Sequence, residues 1–182
     1  MKKSLFGILA IVIILIIILA SAYKKKSQSQ DYNFKGDNMK ITSLAFSQGQ
    51  SIPAKYTCKG ENINPELVFE QIPPEAKSLA LIMDDPDAPG ATFTHWVVYN
   101  MPPETMRLAE NSNPPGVQAK NSADENKYIG PCPPSGTHRY FFKLYALDAM
   151  LSASKISTKE DLLSATQGHI LEETELMGKF TK

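Results

Sequence analysis

Hydrophobic and polar positions divide the chain into three zones. Leu5 to Ala22 is an unbroken apolar run of about 18 residues, close to the length a helix needs to cross a bilayer. Ser27 to Asn38 (SQSQDYNFKGDN) has no apolar period to bury and reads as a polar tether. From Met39 onward, short apolar stretches alternate with dense turn residues. Met39 to Phe46 alternates as a first strand, and Gly49 to Pro53 breaks it. Ser78 to Asp84 (SLALIMD) and His95 to Met101 (HWVVYNM) are nearly continuous apolar runs suited to the middle of a sheet. His138 to Leu147 (HRYFFKLYAL) carries aromatics on both faces, which predicts a strand covered on both sides. Leu162, Leu163, Thr166, His169, Ile170, Glu173 and Met177 recur at helical spacing. They predict a terminal helix over Lys159 to Met177, capped by Ser157 and Glu160, kinked at Gly168 and stopped by Gly178. The 13 prolines cluster between the strands and confine helix to this end. The expected fold is therefore mainly β, a β-sandwich or related domain closed by a C-terminal helix.

Composition narrows the function. Lys plus Arg and Asp plus Glu each number 19, so no net charge draws the chain to nucleic acid. Residues 1–4 form a basic start, 5–22 a transmembrane signal anchor, 23–38 the linker and 39–182 one folded domain. Ala20-Ser21-Ala22 also fits a signal-peptide cleavage site. The length of the apolar run and Lys24, Lys25 and Lys26 directly after it favour an uncleaved anchor. Lysines on both sides nearly cancel the positive-inside rule; an N-terminal anchor commonly precedes an exported domain, so the expectation is a single-pass cell-membrane protein with its domain outside the cytoplasm.

Two stretches carry candidate chemistry. Asp84 to Asn100 (DDPDAPGATFTHWVVYN) sets three carboxylates in a turn before a strand that opens on His95. Asp and Pro are ordinary turn formers, and a lone histidine is commonly structural. Tyr128 to Phe142 (YIGPCPPSGTHRYFF) is a proline-stiffened loop entering the strongest strand through His138. A stiff loop holds its amides in place, which suits anion binding, and a histidine beside it adds another donor.

Together, Asp85-Pro86-Asp87-Ala88-Pro89 with His95 and Asn100, then Gly130-Pro131-x-Pro133-Pro134-x-Gly136-x-His138-Arg139-Tyr140, resemble the paired signature of the phosphatidylethanolamine-binding protein family. Tyr56 to Gly60, Cys132 and Gly168 to Leu171 resemble its compact prokaryotic branch, the YbhB/YbcL-type Raf kinase inhibitor-like proteins. The resemblance runs from about Met39 to Phe180. It implies a large central antiparallel sheet packed on a smaller one, and a small cavity for phosphate-like or carboxylate-like ligands such as phospholipid head groups. Carried over by position, Asp85, Asp87, His95, Gly130, Pro131, His138 and Tyr140 would line it. The histidines and loop amides would donate to the anion, Asp85 would orient a histidine or receive an ammonium, and Tyr140 would supply an edge or hydroxyl. Gly90 to Thr94 stands in place of a longer insertion of eukaryotic members, so the pocket rim should differ, and kinase-pathway inhibition is not carried over.

The expectation is a binding protein without catalytic residues, metal or cofactor, possessing a small anionic ligand and an unspecified protein partner. Alternatives are a protease or kinase inhibitor lacking a physiological small ligand, and a metal-dependent hydrolase using the two histidines and aspartates. No His-x-His or nucleophile elbow supports catalysis at the histidines or at Cys132. Cys58 and Cys132, the 2 cysteines, fit either a disulfide or two buried thiols. His169, on the apolar face of the terminal helix, reads as packing or as a wall near the cavity rather than as a ligand.

Overall fold

A computed structural model describes residues 38–182. Five strands form the main sheet in the order β6-β4-β3-β7-β8, with every neighbour antiparallel: β3 (Ser78–Asp85), β4 (Phe93–Met101), β6 (Val117–Gln118), β7 (Thr137–Leu147) and β8 (Ile170–Thr181). A second sheet has the order β1-β2-β5, from β1 (Lys40–Thr42), β2 (Leu67–Glu70) and β5 (Arg107–Leu108). The expected large and small sheets are both present. β3 is buried along its whole length, which is why Leu79 to Met83 are continuously apolar rather than alternating.

Period-two alternation sorts the side chains of β3, β4 and β7 between two cores. Leu79, Leu81 and Met83 join Trp96, Val98, Tyr140, Phe142 and Leu144 against the small sheet's Ile41, Leu67 and Phe69. Ala80 and Ile82 point the other way, to Val97, Tyr99, Tyr145 and Leu147, under a cover that includes Leu151, Ile156 and Leu162. One face of β7, from His138 to Ala146, is wholly buried. Its other face is covered only toward Tyr145 and Leu147, so the two-sided cover expected for this strand holds at one end.

The terminal helix is the main correction. Helix α1 spans only Lys159–Thr166, and Gly168 at φ 78° ends it instead of kinking it. The capping box is Thr158 with Asp161, one residue on from the expected pair: Asp161 N donates to Thr158 Oγ1 and Thr158 N to Asp161 Oδ2. The chain then returns as β8, paired with β7 along nearly its full length. Thr174, Leu176, Gly178 and Phe180 turn inward while Glu173, Glu175 and Lys179 face out, a strand period overlapping the helical one. Gly178 sits within β8 because a Cβ there would lie 2.5 Å from Ile52 Cγ1. Residues 49–52 cover this end of the β8 edge through Gly49 N to Met177 O (2.7 Å) and Ile52 N to Lys179 O (2.7 Å). His169 lies in the turn, exposed and bonded to Asp148 (2.8 Å), so it does not pack on a helix face.

The transmembrane helix in the expected architecture is also not borne out. Among the described residues no helix is long and apolar enough to cross a membrane. The Leu5–Ala22 run itself, with the linker up to residue 37, lies outside the described residues.

Candidate functional site

The two chemistry-bearing stretches meet at one end of the main sheet. β3 delivers Asp85, β4 delivers His95 and β7 delivers His138 and Tyr140. Placement depends on a register shift between Met83 and Asp84: Met83 pairs with Trp96 and Asp84 with Thr94, leaving His95 as an extra residue. Such a bulge re-aims a side chain, and here it sets the His95 ring 5.3 Å from that of Tyr140, edge to face. Asp84 takes the opposite face and accepts from Thr94 Oγ1 (3.0 Å) and Lys159 Nζ (3.1 Å), fastening α1 to the sheet.

All four side chains are removed from solvent: Tyr140 is 0 % exposed, Asp85 and His95 4 %, His138 7 %. His138 Nδ1 donates to Asp85 Oδ2 (2.7 Å), and Asp85 Oδ1 accepts the Asp87 amide (2.8 Å). His95 Nδ1 lies 2.8 Å from the Ile129 carbonyl, which only accepts, so this nitrogen carries the ring hydrogen. Ile129 N in turn donates to His95 O (3.1 Å). Burial holds the His95 imidazole below its ordinary pKa, against the opposing pull of the Ile129 carbonyl and Asp85. Tyr140 Oη makes no close hydrogen bond, the buried side-chain polar atom left unmatched among the described residues, although the Asp85 carboxylate and the Cys132 backbone lie near enough to act on its ionisation. Burial raises its pKa, with Asp85 adding to the effect. A buried hydroxyl left without a close partner costs about 1–3 kcal/mol, which a ligand oxygen or a bound water at this position would recover.

Three other predicted positions shape the surroundings. Asp87 is held by Arg139 from Nε (2.8 Å), Nη2 (2.7 Å) and the backbone amide (2.9 Å). The Arg139 guanidinium pulls the Asp87 carboxyl down to about 2. Gly130 N donates to Asn62 Oδ1 (2.8 Å), so this amide is not the free anion donor expected of it. Glycine is needed there because a Cβ would lie 2.3 Å from Tyr56 O. Pro131 O accepts from Cys58 N (3.1 Å), and the adjacent Cys132 is disulfide-bonded to Cys58, settling the cysteine question for the folded domain. Asn100 belongs to the first motif but stands apart: its amide clasps Leu151 through two 2.8 Å bonds.

Sequence reasoning missed Asn62 and the pairing role of Arg139. Arg139 sits inside the second motif, two residues on from Thr137 and on the opposite face from His138, so strand alternation was the available signal. Asn62 offered none beyond its type; its φ of 56° marks it as a turn residue. A cavity of about 290 Å³ lined by Asn62, Trp96, Gln118 and Tyr128 adjoins this loop, and none of the predicted site residues lines it.

The family model of phosphatidylethanolamine-binding proteins matches residues 42–181. The chain belongs to the phosphatidylethanolamine-binding protein family. Among its relatives, a UPF0098 protein of Methanothermobacter thermautotrophicus is 49% identical over 150 residues, covering 79% of this chain and 99% of that protein. One from Chlamydia trachomatis is 48% identical over 149 residues, with coverage of 79% and 99%. Among solved structures, a phosphatidylethanolamine-binding protein homologue from Chlamydia trachomatis superimposes with a TM-score of 0.78 at 47% identity, over 81% of this chain and 99% of that one. Escherichia coli YbcL, described as a new member of the mammalian phosphatidylethanolamine-binding protein family, gives 0.74 at 26% identity, over 80% and 99%. The family fold thus accounts for both sheets and for the C-terminal strand that helical spacing concealed.

Proposed function

We propose that this family member binds small phosphate- or carboxylate-bearing ligands, phospholipid head groups among them, at Asp85, His95, His138 and Tyr140. The observation that carries the reading is the buried Tyr140 hydroxyl without a close partner, on a ring that packs edge to face with His95, while His95 and His138 are each anchored through Nδ1. A ligand oxygen accepting from Tyr140 Oη would satisfy it, and the anchored rings would present Nε2 to the same ligand. Asp87 with Arg139, and Gly130 with Asn62, act as walls that fix the turn and the loop rather than as direct contacts. Pro131 contributes shape through the same loop.

The test is calorimetric titration of the protein with inorganic phosphate and with phosphorylethanolamine, repeated on Tyr140→Phe. Saturable binding, weakened at least about tenfold by loss of the hydroxyl, supports the reading, since a lost charged hydrogen bond is worth about 1.5–3 kcal/mol. Absence of saturable binding rejects it. The Cys58–Cys132 disulfide further supports placing the domain outside the cytoplasm, where such bonds persist. Alkylation in intact cells before reduction tests this: protected cysteines agree, and labelled cysteines do not.

A further inference from the structure

This inference rests on the oxyanion reading of the pocket and concerns the proton that accompanies the ligand. The acceptors at His95 and His138, a carbonyl and a carboxylate, have no hydrogen to give, so each Nδ1 carries its own. In the neutral rings both Nε2 atoms are therefore lone pairs. Tyr140 Oη, near the Asp85 carboxylate, is the one side-chain donor of the four residues without a close partner.

The surrounding charges do not help a bare anion. From β3, Asp85 adds a carboxylate; Asp84 lies on the other face, bound to Thr94 and Lys159. From the turn before β4, Asp87 faces Arg139, whose guanidinium it holds through two side-chain bonds. From the loop before β7, the Tyr128 hydroxyl is spent on Tyr56 O (2.8 Å). No permanent cation among these groups is free, so a dianion entering the pocket would meet two lone pairs and a carboxylate, with only the neutral Tyr140 hydroxyl and the Cys132 amide near it in its favour.

We propose that the pocket takes an oxyanion together with one proton, and so selects singly ionised, hydrogen-bearing phosphate monoesters over the dianions that predominate at neutral pH. A P–OH hydrogen supplies the donor that one Nε2 requires. Equivalently, a dianion enters with a proton taken from solvent and held on Nε2 of His95 or His138. Both routes give the same stoichiometry: site plus dianion plus one proton yields one complex. A phosphomonoester's second ionisation lies near pH ~6, so at higher pH this proton has to come from solvent.

The test is calorimetric titration with methyl phosphate at pH 7.5 in two buffers of widely different ionisation enthalpy, followed by a pH series to 8.5. The expected result is uptake of close to one proton per ligand and an affinity falling ~tenfold per pH unit. His138→Gln and His95→Gln, which put a fixed amide donor in place of an imidazole lone pair, should flatten that slope. Equal heats in the two buffers, with affinity unchanged from pH 7.5 to 8.5, would overturn the proton requirement while leaving the oxyanion pocket standing. No binding anywhere from pH 5.5 to 8.5 would reject the pocket reading, and this inference with it.

Discussion

Removing the Cys58–Cys132 bond by the double substitution Cys58→Ser and Cys132→Ser should destabilise the domain severely. The two cysteines are 74 residues apart in sequence. In the chain-entropy model, opening a loop of that size releases about 4.5 kcal/mol of denatured-state restriction at 25 °C, and measured losses of native disulfides run at roughly 2–5 kcal/mol. The folded side changes little, because Cys58 N still donates to Pro131 O and Asn62 still holds Gly130. Since single domains are stable by only about 5–15 kcal/mol, this is a large share of the total. Urea denaturation of the double variant, and of the unaltered protein with and without dithiothreitol, measures it. A loss of about 2–4.5 kcal/mol in both comparisons is expected. A loss below about 1 kcal/mol would show that the crosslink does not restrict the unfolded chain and would refute the reasoning.

Further outcomes follow from particular contacts. Gly130→Ala forces a Cβ to within 2.3 Å of Tyr56 O, so a destabilisation of about 1–3 kcal/mol with weakened phosphate binding is expected in paired denaturation and calorimetry. Lys159→Met leaves Asp84 with Thr94 and the more distant Lys143 (3.9 Å), and should cost about 1–3 kcal/mol by denaturation without changing ligand affinity. Arg139→Ala exposes how little a half-exposed pair contributes: about 0–1 kcal/mol by thermal melting. His95 has a folded pKa below its unfolded value, so the unfolded chain takes up the proton first. Its contribution is complete above pH ~6.5 and is lost as pH falls toward the folded value; stability measured from pH 7 to 5 should decline less steeply in His95→Gln.

Much of the main sheet was readable because burial writes itself into the sequence. Ser78–Asp85 is buried along its whole length and is apolar from Leu79 to Met83, and β7 keeps His138, Tyr140, Phe142 and Leu144 on one buried face. The terminal strand was not readable in the same way. Leu162 and Thr166 belong to a true helix, and the register of Ile170, Glu173 and Met177 extends its period by coincidence into residues whose strand alternation is equally good. Only pairing with β7, a non-local interaction, decides between them. The same limit applies to the candidate site. The family resemblance named Asp85, His95, His138 and Tyr140, but a bulge aims His95, and that is a property of the β3–β4 register rather than of His95's neighbours. Gly130 was named for its amide and is needed for its missing side chain, because its partner Asn62 arrives from a distant loop.

The chain holds 3 histidines, which makes the central claim open to direct observation at single sites. Nitrogen-15 spectra of the imidazoles should be followed as inorganic phosphate is added to the protein. Binding at the proposed pocket predicts that Nε2 of His95 and His138 shifts saturably while exposed His169, bonded to Asp148, does not. Shifts confined to His169, or equal for all three in proportion to added phosphate, would contradict it.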